Sequence, residues 1–222
     1  LWYSVKCLLL RKEKIMFDIF KKLTVNRKNG PIEHLVVGLG NPGSKYENTR
    51  HNAGFIALDY IANQLNVNFN KSKFDALFSE AVIDGKRVLL IKPQTFMNLS
   101  GESVVQFMSF YKIPSENVII LFDDISLAPG NLRVKRSGSH GGHNGMRNII
   151  QLAKTDNFPR IKIGIGAKPT DWDLADWVTS NFSDEDLKLL NKAAENSYAA
   201  LKLMLNGEIE KAMNLANRKI FN

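Results

Sequence analysis

Apolar runs that alternate with helical repeats restrict the fold of this 222-residue chain more than any other feature. The runs at 33–39 and 117–124 are rich in β-branched and aliphatic residues and predict strands that are buried on both faces. Residues 52–66 lie between them and repeat apolar side chains at helical spacing. Strands that alternate with helices predict an α/β fold in which helices cover both faces of a sheet.

Residues 77–93 predict a β-hairpin that turns at Asp84-Gly85, so the sheet is expected to be mixed. Further strands are expected within 130–138 and 159–169, on either side of a helix that starts near Asn144. Ser100 and Ser183 are expected to cap helices, the first of which runs to about residue 112. The sequence therefore predicts one three-layer α/β/α domain with a mixed, mostly parallel central sheet, covering 32–222.

Residues 1–31 are expected to form an N-terminal extension that is helical in part or disordered. Eight Lys and Arg residues against two acidic ones give the first thirty residues +6 of the chain's net charge of +8. The stretch at 1–10 is too short to span a bilayer and lacks the flanks of a signal peptide, so no membrane segment is expected. A peripheral helix is predicted from one apolar face: Met16, Ile19, Phe20 and Leu23.

Composition excludes several classes of protein. The apolar and charged fractions, 44% and 23%, are those of an ordinary globular domain rather than a disordered or membrane-spanning chain. The single cysteine, Cys7, excludes a disulfide framework and a metal cage of thiolates. We therefore expect a cytoplasmic protein.

The segment 133–168 carries eight basic residues and one acidic residue. Such a segment is either a solvated basic face or a site that binds phosphate groups. Composition alone leaves both interpretations open. The basic residues are Arg133, Lys135, Arg136, Arg147, Lys154, Arg160, Lys162 and Lys168.

Gly38, Gly40 and Gly43 match the G-x-G-x-x-G pattern of dinucleotide-binding turns. A dinucleotide site requires a helix that starts on these glycines, so that its amide groups meet the pyrophosphate. Here Pro42 and a polar stretch delay the helix by about ten residues. A nicotinamide- or flavin-dependent oxidoreductase is therefore a minor alternative, and a tight loop that carries polar side chains over the sheet is favoured.

Polar side chains follow several of the predicted strands. The ends of parallel strands are where open α/β sheets bind their ligands. A histidine, an aspartate and several asparagines, with no serine or cysteine in a nucleophile turn, indicate that a general base activates water. The polar residues concerned are Asn41, Tyr46, His51, Asn98, Asp123, Asp124, His140, His143 and Asn144.

Structural roles and metal binding are the alternatives for these residues. His51 could simply neighbour a helix start, and Asp124 could be a turn residue at a strand end. His140 and His143 could bind a metal ion together with the two aspartates. The intervening Gly-Gly disrupts helical ligand spacing and no third histidine is close in sequence, so metal binding is disfavoured.

Five stretches, taken together and in order, resemble bacterial-type peptidyl-tRNA hydrolase. The resemblance runs from about Glu33 to the C-terminus, and residues 1–30 lie outside it. Each stretch is weak by itself, whereas all five at this spacing are specific. The stretches are VVGLGNPGSKYENTRHNAGF, KPQTFMNLSGESV, DDISLAPGNLRVK, GSHGGHNGMRNI and RIKIGIGAKP.

The resemblance implies hydrolysis of the ester that joins a peptide to the 3′-terminal ribose of tRNA. It implies an enzyme without metal or cofactor, cytoplasmic and monomeric, whose substrate and nucleic-acid partner is peptidyl-tRNA. The alternative is a non-catalytic RNA-binding relative, similar to chloroplast splicing factors of the same fold. An RNA-binding protein has no need for a complete hydrolytic site, so the enzyme is favoured.

The resemblance also assigns roles to individual positions. His51 is the base that activates water, Asp123 orients this base, and Asn144 positions the water or stabilises the oxyanion. The residues implied to bind the substrate or line its site are Asn41, Tyr46, Met97, Asn98 and His143.

The basic segment becomes a phosphate-binding site on the same grounds. Lys135 is similar to the family's contact with the tRNA 5′ phosphate, and Arg133 lies beside it. Lys162 stands where the family often has Arg, which removes bidentate geometry, so the phosphate contact is expected to be weaker or to be shared with Arg160. Ser126 is a second departure, since the family often has a second aspartate there.

Overall fold

In the computed structural model of the protein, residues 30–218 are described. They form seven strands and six α-helices, together with four short 3₁₀ turns. The predicted extension up to residue 29, including the helix around Met16, lies outside this range. The strands are β1 His34–Gly38, β2 Lys71–Lys73, β3 Ala76–Ile83, β4 Lys86–Pro93, β5 Val118–Asp124, β6 Leu132–Lys135 and β7 Arg160–Gly164. The helices are α1 Ala53–Gln64, α2 Ser100–Tyr111, α3 Asn144–Ala153, α4 Leu174–Thr179, α5 Asp184–Leu205 and α6 Ile209–Ala216.

All seven strands belong to one sheet, in the order β2-β3-β4-β1-β5-β7-β6. The four strands β4, β1, β5 and β7 are parallel neighbours at its centre. The hairpin β3–β4, the short edge strand β2 and the other edge strand β6 pair antiparallel. Five of the seven strands point in one direction, so the prediction of a mixed, mostly parallel sheet is confirmed.

Side chains alternate across this sheet and form one apolar core on each face. Val36 and Leu121 belong to the core that α1, α5 and α6 cover. Leu35 and Ile120 belong to the opposite core, which α2 and α3 cover. Both cores consist of fully buried aliphatic and aromatic side chains, whose removal from water is the main favourable contribution to folding. The three-layer α/β/α architecture is therefore confirmed.

Several local predictions hold and one is wrong. The hairpin turns at Asp84-Gly85, where both residues have positive φ, as its tight turn requires. Ser183 caps α5 by accepting a hydrogen bond from the amide of Asp186. Ser100 does not cap α2, because it is the first helical residue and its hydroxyl donates to the carbonyl of Met97. The short elements β2 and α4 were not predicted.

The glycine loop after β1 serves close packing against α1. A Cβ atom on Gly38 would lie 2.6 Å from the carbonyl oxygen of Gly54, and one on Gly40 would lie 2.5 Å from the ring of Phe55. Helix α1 begins only at Ala53, and the described residues of the loop start nothing longer than the 3₁₀ turn Ser44–Tyr46. This geometry agrees with a tight loop and does not fit a dinucleotide turn. The loop carries Asn41 to the carboxyl edge of the parallel strands.

Candidate active site

A buried histidine and a buried aspartate meet at the carboxyl edge of the sheet. His51 lies in the 3₁₀ turn Arg50–Asn52 that leads into α1, and Asp123 is the penultimate residue of β5. The Nδ1 atom of His51 is 2.8 Å from Oδ1 of Asp123. An aspartate that accepts from Nδ1 leaves Nε2 of the imidazole as the free basic nitrogen. His51 is thus arranged as a general base.

A second histidine binds the same carboxylate oxygen. The Nε2 atom of His143 is 3.0 Å from Oδ1 of Asp123, and its ring lies 4.9 Å from the ring of His51. His143 is also the N-cap of α3, where its Nδ1 accepts from the amide of Met146. Since Nδ1 accepts, it carries no proton, and the hydrogen-bond network assigns the proton to Nε2. His143 is therefore a neutral donor to Asp123.

The pKa values of the three groups diverge. Burial alone raises the pKa of Asp123, but attraction to the two imidazoles and their hydrogen bonds outweigh it and hold the pKa far below its ordinary range. Burial lowers the pKa of His51, and the negative charge of Asp123 overcomes this, so the pKa of His51 is raised. Burial dominates for His143 and lowers its pKa. His51 is consequently the imidazole of this pair that can accept a proton more readily.

Asn41 is fixed by its neighbours. Its backbone amide donates to Oδ1 of Asn52 over 2.8 Å, and Nδ2 of Asn52 donates to its carbonyl over 3.0 Å. Its own Oδ1 accepts from the backbone amide of Met97 over 2.8 Å. This acceptor bond sets the orientation of the side-chain amide and leaves Nδ2 as a donor. No sequence motif indicated this role of Asn52.

The remaining residues predicted to line the substrate site differ in their burial. Met97 is buried, and a Cβ atom on Gly145 would lie 2.7 Å from its sulfur, so it packs tightly against the start of α3. Asn98 follows it and is exposed, while Tyr46 is half-buried in the glycine loop. Asn144 is exposed at the first position of α3, where its Oδ1 accepts from Arg147.

A cavity of about 400 Å³ opens beside the histidine pair. Its polar lining includes His51, Asp123 and Asn144, whereas one of its walls is apolar. The apolar residues are Phe122, Ile125, Leu174, Ala175 and Val178. The cavity thus places apolar surface next to a potential base.

The residues that could bind a metal ion in the structure are not the set that the sequence suggested. His140 and Asp124 do not join a ligand cluster of the described residues, because Nδ1 of the half-buried His140 accepts from the amide of Gly142 and Asp124 pairs with Lys162. In the described part of the chain, His51, Asp123 and His143 have ligand atoms within 4.8 Å of one another. Both imidazole nitrogens that face Asp123 are engaged in hydrogen bonds with it, so this arrangement is accounted for without an ion.

The four cations predicted to bind phosphate lie on one side of the sheet. In the register of β6 and β7, Arg133 is opposite Lys162, and Lys135 is opposite Arg160. Lys135 is exposed and Arg133 is half-buried, so both can reach a phosphate on the surface. The Nζ atom of Lys162 instead lies 2.6 Å from Oδ2 of Asp124. Burial raises the pKa of Asp124, but the bonds from Lys162 and Ser126 outweigh it, so the pKa is lowered.

Arg160 does not fit the predicted role. It is 1% exposed, and its guanidinium donates to the carbonyls of Phe158, Ser139 and Asp156. These three bonds join the loop before α3 to the segment before β7. In this conformation the guanidinium is too deep to contact a phosphate, and the expectation that Arg160 shares the contact is wrong.

A family model and individual relatives identify the same protein family. The family model of peptidyl-tRNA hydrolase matches residues 35–222. The chain belongs to the peptidyl-tRNA hydrolase family. A peptidyl-tRNA hydrolase of Agathobacter rectalis is 51% identical over 83% of this chain and 100% of that protein. One of Caldanaerobacter subterraneus is 47% identical over 83% of this chain and 99% of that protein.

Solved structures of the family share the fold. The crystal structure of peptidyl-tRNA hydrolase from Acinetobacter baumannii superposes with a TM-score of 0.79 at 37% identity. The match covers 85% of this chain and 97% of that one. Within residues 30–218, no helix is long and apolar enough to cross a membrane.

Arg50 supports the site and was not predicted from the sequence. Arg50 is buried, its guanidinium carbon lies 3.8 Å from the centre of the Trp177 ring, and it pairs with Asp186 over 3.2 Å. Its amide also donates to the carbonyl of Ser180. Arg50 thus ties the turn that holds His51 to α4 and α5. The only sequence signal for this role is that Arg50 directly precedes the candidate base. It could not be interpreted from the sequence, because the partners of Arg50 are about 130 residues away.

Proposed function

We propose that the protein hydrolyses the ester bond of peptidyl-tRNA with water that His51 activates. The observation that carries the proposal is the short contact between Nδ1 of His51 and Asp123, which leaves Nε2 free at the edge of a cavity. Membership in the family supports the substrate class, and the relatives named above are peptidyl-tRNA hydrolases.

The reaction takes place in two steps. Nε2 of His51 accepts a proton from water while the water oxygen attacks the ester carbonyl carbon, which gives a tetrahedral intermediate with a negative oxygen. The bond to the ribose oxygen then breaks, and the leaving oxygen takes the proton from His51. Asp123 remains ionised throughout and stabilises the imidazolium that forms between the steps.

Three asparagines supply neutral hydrogen bonds to the reacting groups. Asn41 offers its Nδ2 group to the peptide, because its Oδ1 is already bound to Met97. Asn98 lies next to Met97 and is exposed, which suits a contact with the ester. Asn144 lines the cavity and positions the water or binds the oxyanion. Amide donors stabilise developing negative charge without adding a charge of their own.

His143 and the residues that line the site complete it. As a neutral donor, His143 keeps Asp123 ionised and buried without a competing positive charge. Met97 and Tyr46 shape the surface on which the peptide lies. All of these side chains belong to one chain, so we propose a monomer whose site needs no partner subunit. From the family resemblance we further propose that the protein is cytoplasmic and acts without a metal or cofactor.

We propose that Lys135, with Arg133, binds the 5′ phosphate of the tRNA. Both side chains lie on the same side of β6, and neither is the partner of a carboxylate in the described residues. A phosphate at the acceptor end lies outside the reacting ester, so this contact selects tRNA esters over small esters. A lysine contact of this kind is weakened by salt.

The RNA-binding alternative predicts binding without turnover. We would incubate the wild-type protein with N-blocked peptidyl-tRNA in buffer that contains EDTA and follow the release of free tRNA. We expect multiple turnovers that persist after exhaustive chelation. Binding without release would favour the RNA-binding alternative, and loss of activity that zinc or manganese restores would show that a metal ion is needed.

A further inference from the structure

We propose that Asn148 is a positioning residue that sets the separation of two substrate-binding amides, those of Asn98 and Asn144. The inference rests on the proposed esterase function and assigns a role in it to a residue that touches no reacting atom. The observation that carries it is a close contact between the start of α2 and the first turns of α3, since the two amides lie on either side of this contact.

Asn148 joins the two helices by a hydrogen bond. Its Oδ1 accepts from the backbone amide of Gly101 over 2.7 Å. Gly101 is buried and is the second residue of α2, so this amide has no acceptor within its own helix. The N-cap residue Leu99 supplies no side-chain acceptor either. A side chain of α3 thus satisfies a buried donor at the start of α2.

The two helices approach so closely that their spacing is fixed at this point. A Cβ atom on Gly101 would lie 2.7 Å from Oδ1 of Asn148 and 2.8 Å from its backbone carbonyl. At the first turn of α3, a Cβ atom on Gly145 would lie 2.7 Å from the sulfur of Met97. Both distances are shorter than van der Waals contact, so a side chain at either glycine would force a shift. Two glycine contacts and one hydrogen bond therefore determine how α3 lies against residues 97–101.

Asn98 and Asn144 each lie about one helical turn from this contact. Asn98 is the middle residue of the 3₁₀ turn Met97–Leu99, which leads directly into α2. Asn144 is the first residue of α3, four residues before Asn148 and thus on the same face of the helix. The hydrogen bond between Gly101 and Asn148 consequently joins the two elements that carry these amides.

The separation of the two amides matters most in the transition state. In the proposed mechanism Asn98 contacts the ester and Asn144 positions the water or binds the oxyanion, so both act on one carbonyl group. A misplacement of about 1 Å in such an arrangement can lower the rate by about 100-fold. Binding of the substrate also uses contacts elsewhere, at Asn41 and Lys135. Loss of the bond from Asn148 is therefore expected to lower kcat more than it raises KM.

Variants of Asn148 separate loss of the acceptor from loss of volume. Asn148→Leu has a side chain of similar size without an acceptor. Asn148→Asp keeps the acceptor and places a negative charge at a helix N-terminus, where it is favourable. With N-blocked peptidyl-tRNA, we expect Asn148→Leu to lower kcat by about 10- to 100-fold and to change KM by less than about 3-fold. Asn148→Asp should retain most of the wild-type kcat.

Gln151→Ala, an exposed change on the same helix, is the control and should leave both constants unchanged. A normal kcat in Asn148→Leu would overturn the inference, and so would an Asn148→Asp protein as slow as Asn148→Leu. If Asn148→Leu does not fold, Gly101→Ala perturbs the same contact from α2 and is expected to lower kcat in the same way. A normal kcat in a folded Gly101→Ala protein would then overturn the inference.

A double-mutant cycle shows whether Asn148 acts through Asn144. In an Asn144→Ala background the second amide is absent, so Asn148→Leu should lower kcat by less than about 2-fold further. A role in general stability would instead lower kcat by the same factor in both backgrounds, which would contradict the inference. A normal kcat in Asn144→Ala would also contradict it, because Asn148 would then have no functional group to position.

The wild-type protein distinguishes failure of this inference from failure of the proposed function. A wild-type protein that releases no tRNA from peptidyl-tRNA would refute the proposed function. A wild-type protein that turns over, together with an Asn148→Leu variant that is equally fast, would refute the role of Asn148 alone.

Discussion

At the scale of single residues, the site depends on one carboxylate that serves two imidazoles. Asp123 accepts from both His51 and His143, and the structure gives each histidine a different role through its second nitrogen. Nδ1 of His143 is used in capping α3, whereas Nε2 of His51 is free to accept a proton. The same residue type thus serves as a base at one position and as a fixed donor at the other.

The pH dependence of kcat/KM follows from the raised pKa of His51. A general base works only when it is unprotonated, so activity falls as the pH drops through this pKa. Because the pKa is raised, we expect half-maximal kcat/KM at a pH above about 6.5, the ordinary value for histidine. A pH profile of the wild-type protein with peptidyl-tRNA checks this expectation.

Asp123→Asn provides the matching variant. It removes the charge that raises the pKa of His51, while the burial that lowers this pKa remains. We expect the midpoint of the profile to move to lower pH and the plateau to fall by about 10²- to 10⁴-fold. An unchanged midpoint would show that His51 is not the titrating group.

Asn52 is predicted to act through Asn41. Both polar atoms of its side-chain amide bind the backbone of Asn41, whose own side-chain amide we propose as a contact for the peptide. We expect Asn52→Ala to raise KM for peptidyl-tRNA more than it lowers kcat, by about 10-fold for the loss of two buried hydrogen bonds. Asn48→Ala, an exposed change nearby, is the control. A loss confined to kcat would indicate that Asn52 supports His51 instead.

At the scale of elements, the glycine loop and α1 form one tightly packed unit. A methyl group on Gly40 would enter the ring of Phe55, which is only 8% exposed and cannot move freely. We expect Gly40→Ala to lower the free energy of unfolding by about 1–3 kcal/mol, a typical cost of overpacking. Urea denaturation measures this, with Ser44→Ala as an exposed control in the same loop. Equal stability of the two variants would show that α1 shifts without cost.

Arg160, the first residue of β7, has a structural role that the sequence did not predict. It lies in a basic segment and next to a position that resembles a phosphate contact, so a surface role was a natural expectation. The alternation of β7 and the three carbonyls around its guanidinium instead make it an internal connector. Charge alone does not tell a buried arginine from an exposed one, because the difference depends on how the preceding segment and the loop before α3 turn their carbonyls toward the guanidinium.

At the scale of the whole molecule, the spacing of apolar residues was sufficient to predict the three-layer architecture. The buried runs of β1 and β5, the hairpin β3–β4 and the helices α1, α3 and α5 are all visible as patterns of apolar residues. Elements without such a pattern were missed, namely the three-residue strand β2 and the short helix α4. Their existence depends on pairing with β3 and on packing near Arg50, which are tertiary contacts.

The candidate site was predictable to a similar degree. Polar residues after the parallel strands predicted a site at this edge of the sheet, and the family resemblance implied that Asp123 orients His51. The residues that support the site were not predictable, since Arg50 bonds to residues about 130 positions away and Asn52 bonds to the backbone of an irregular loop. The pairing of Lys162 with Asp124 likewise follows from strand order and not from the local sequence.

The rate of tRNA release by His51→Ala tests the central claim most directly. We would measure it under single-turnover conditions with saturating enzyme, so that weaker binding does not affect the result. His140→Ala is the matched control, since His140 lines the same cavity but its Nδ1 accepts from the amide of Gly142 and is not bound to Asp123. We predict that His51→Ala lowers the rate by about 10²- to 10⁴-fold and still binds peptidyl-tRNA, while His140→Ala stays within a few-fold of wild type. A His51→Ala protein that releases tRNA at a near-normal rate would contradict the account.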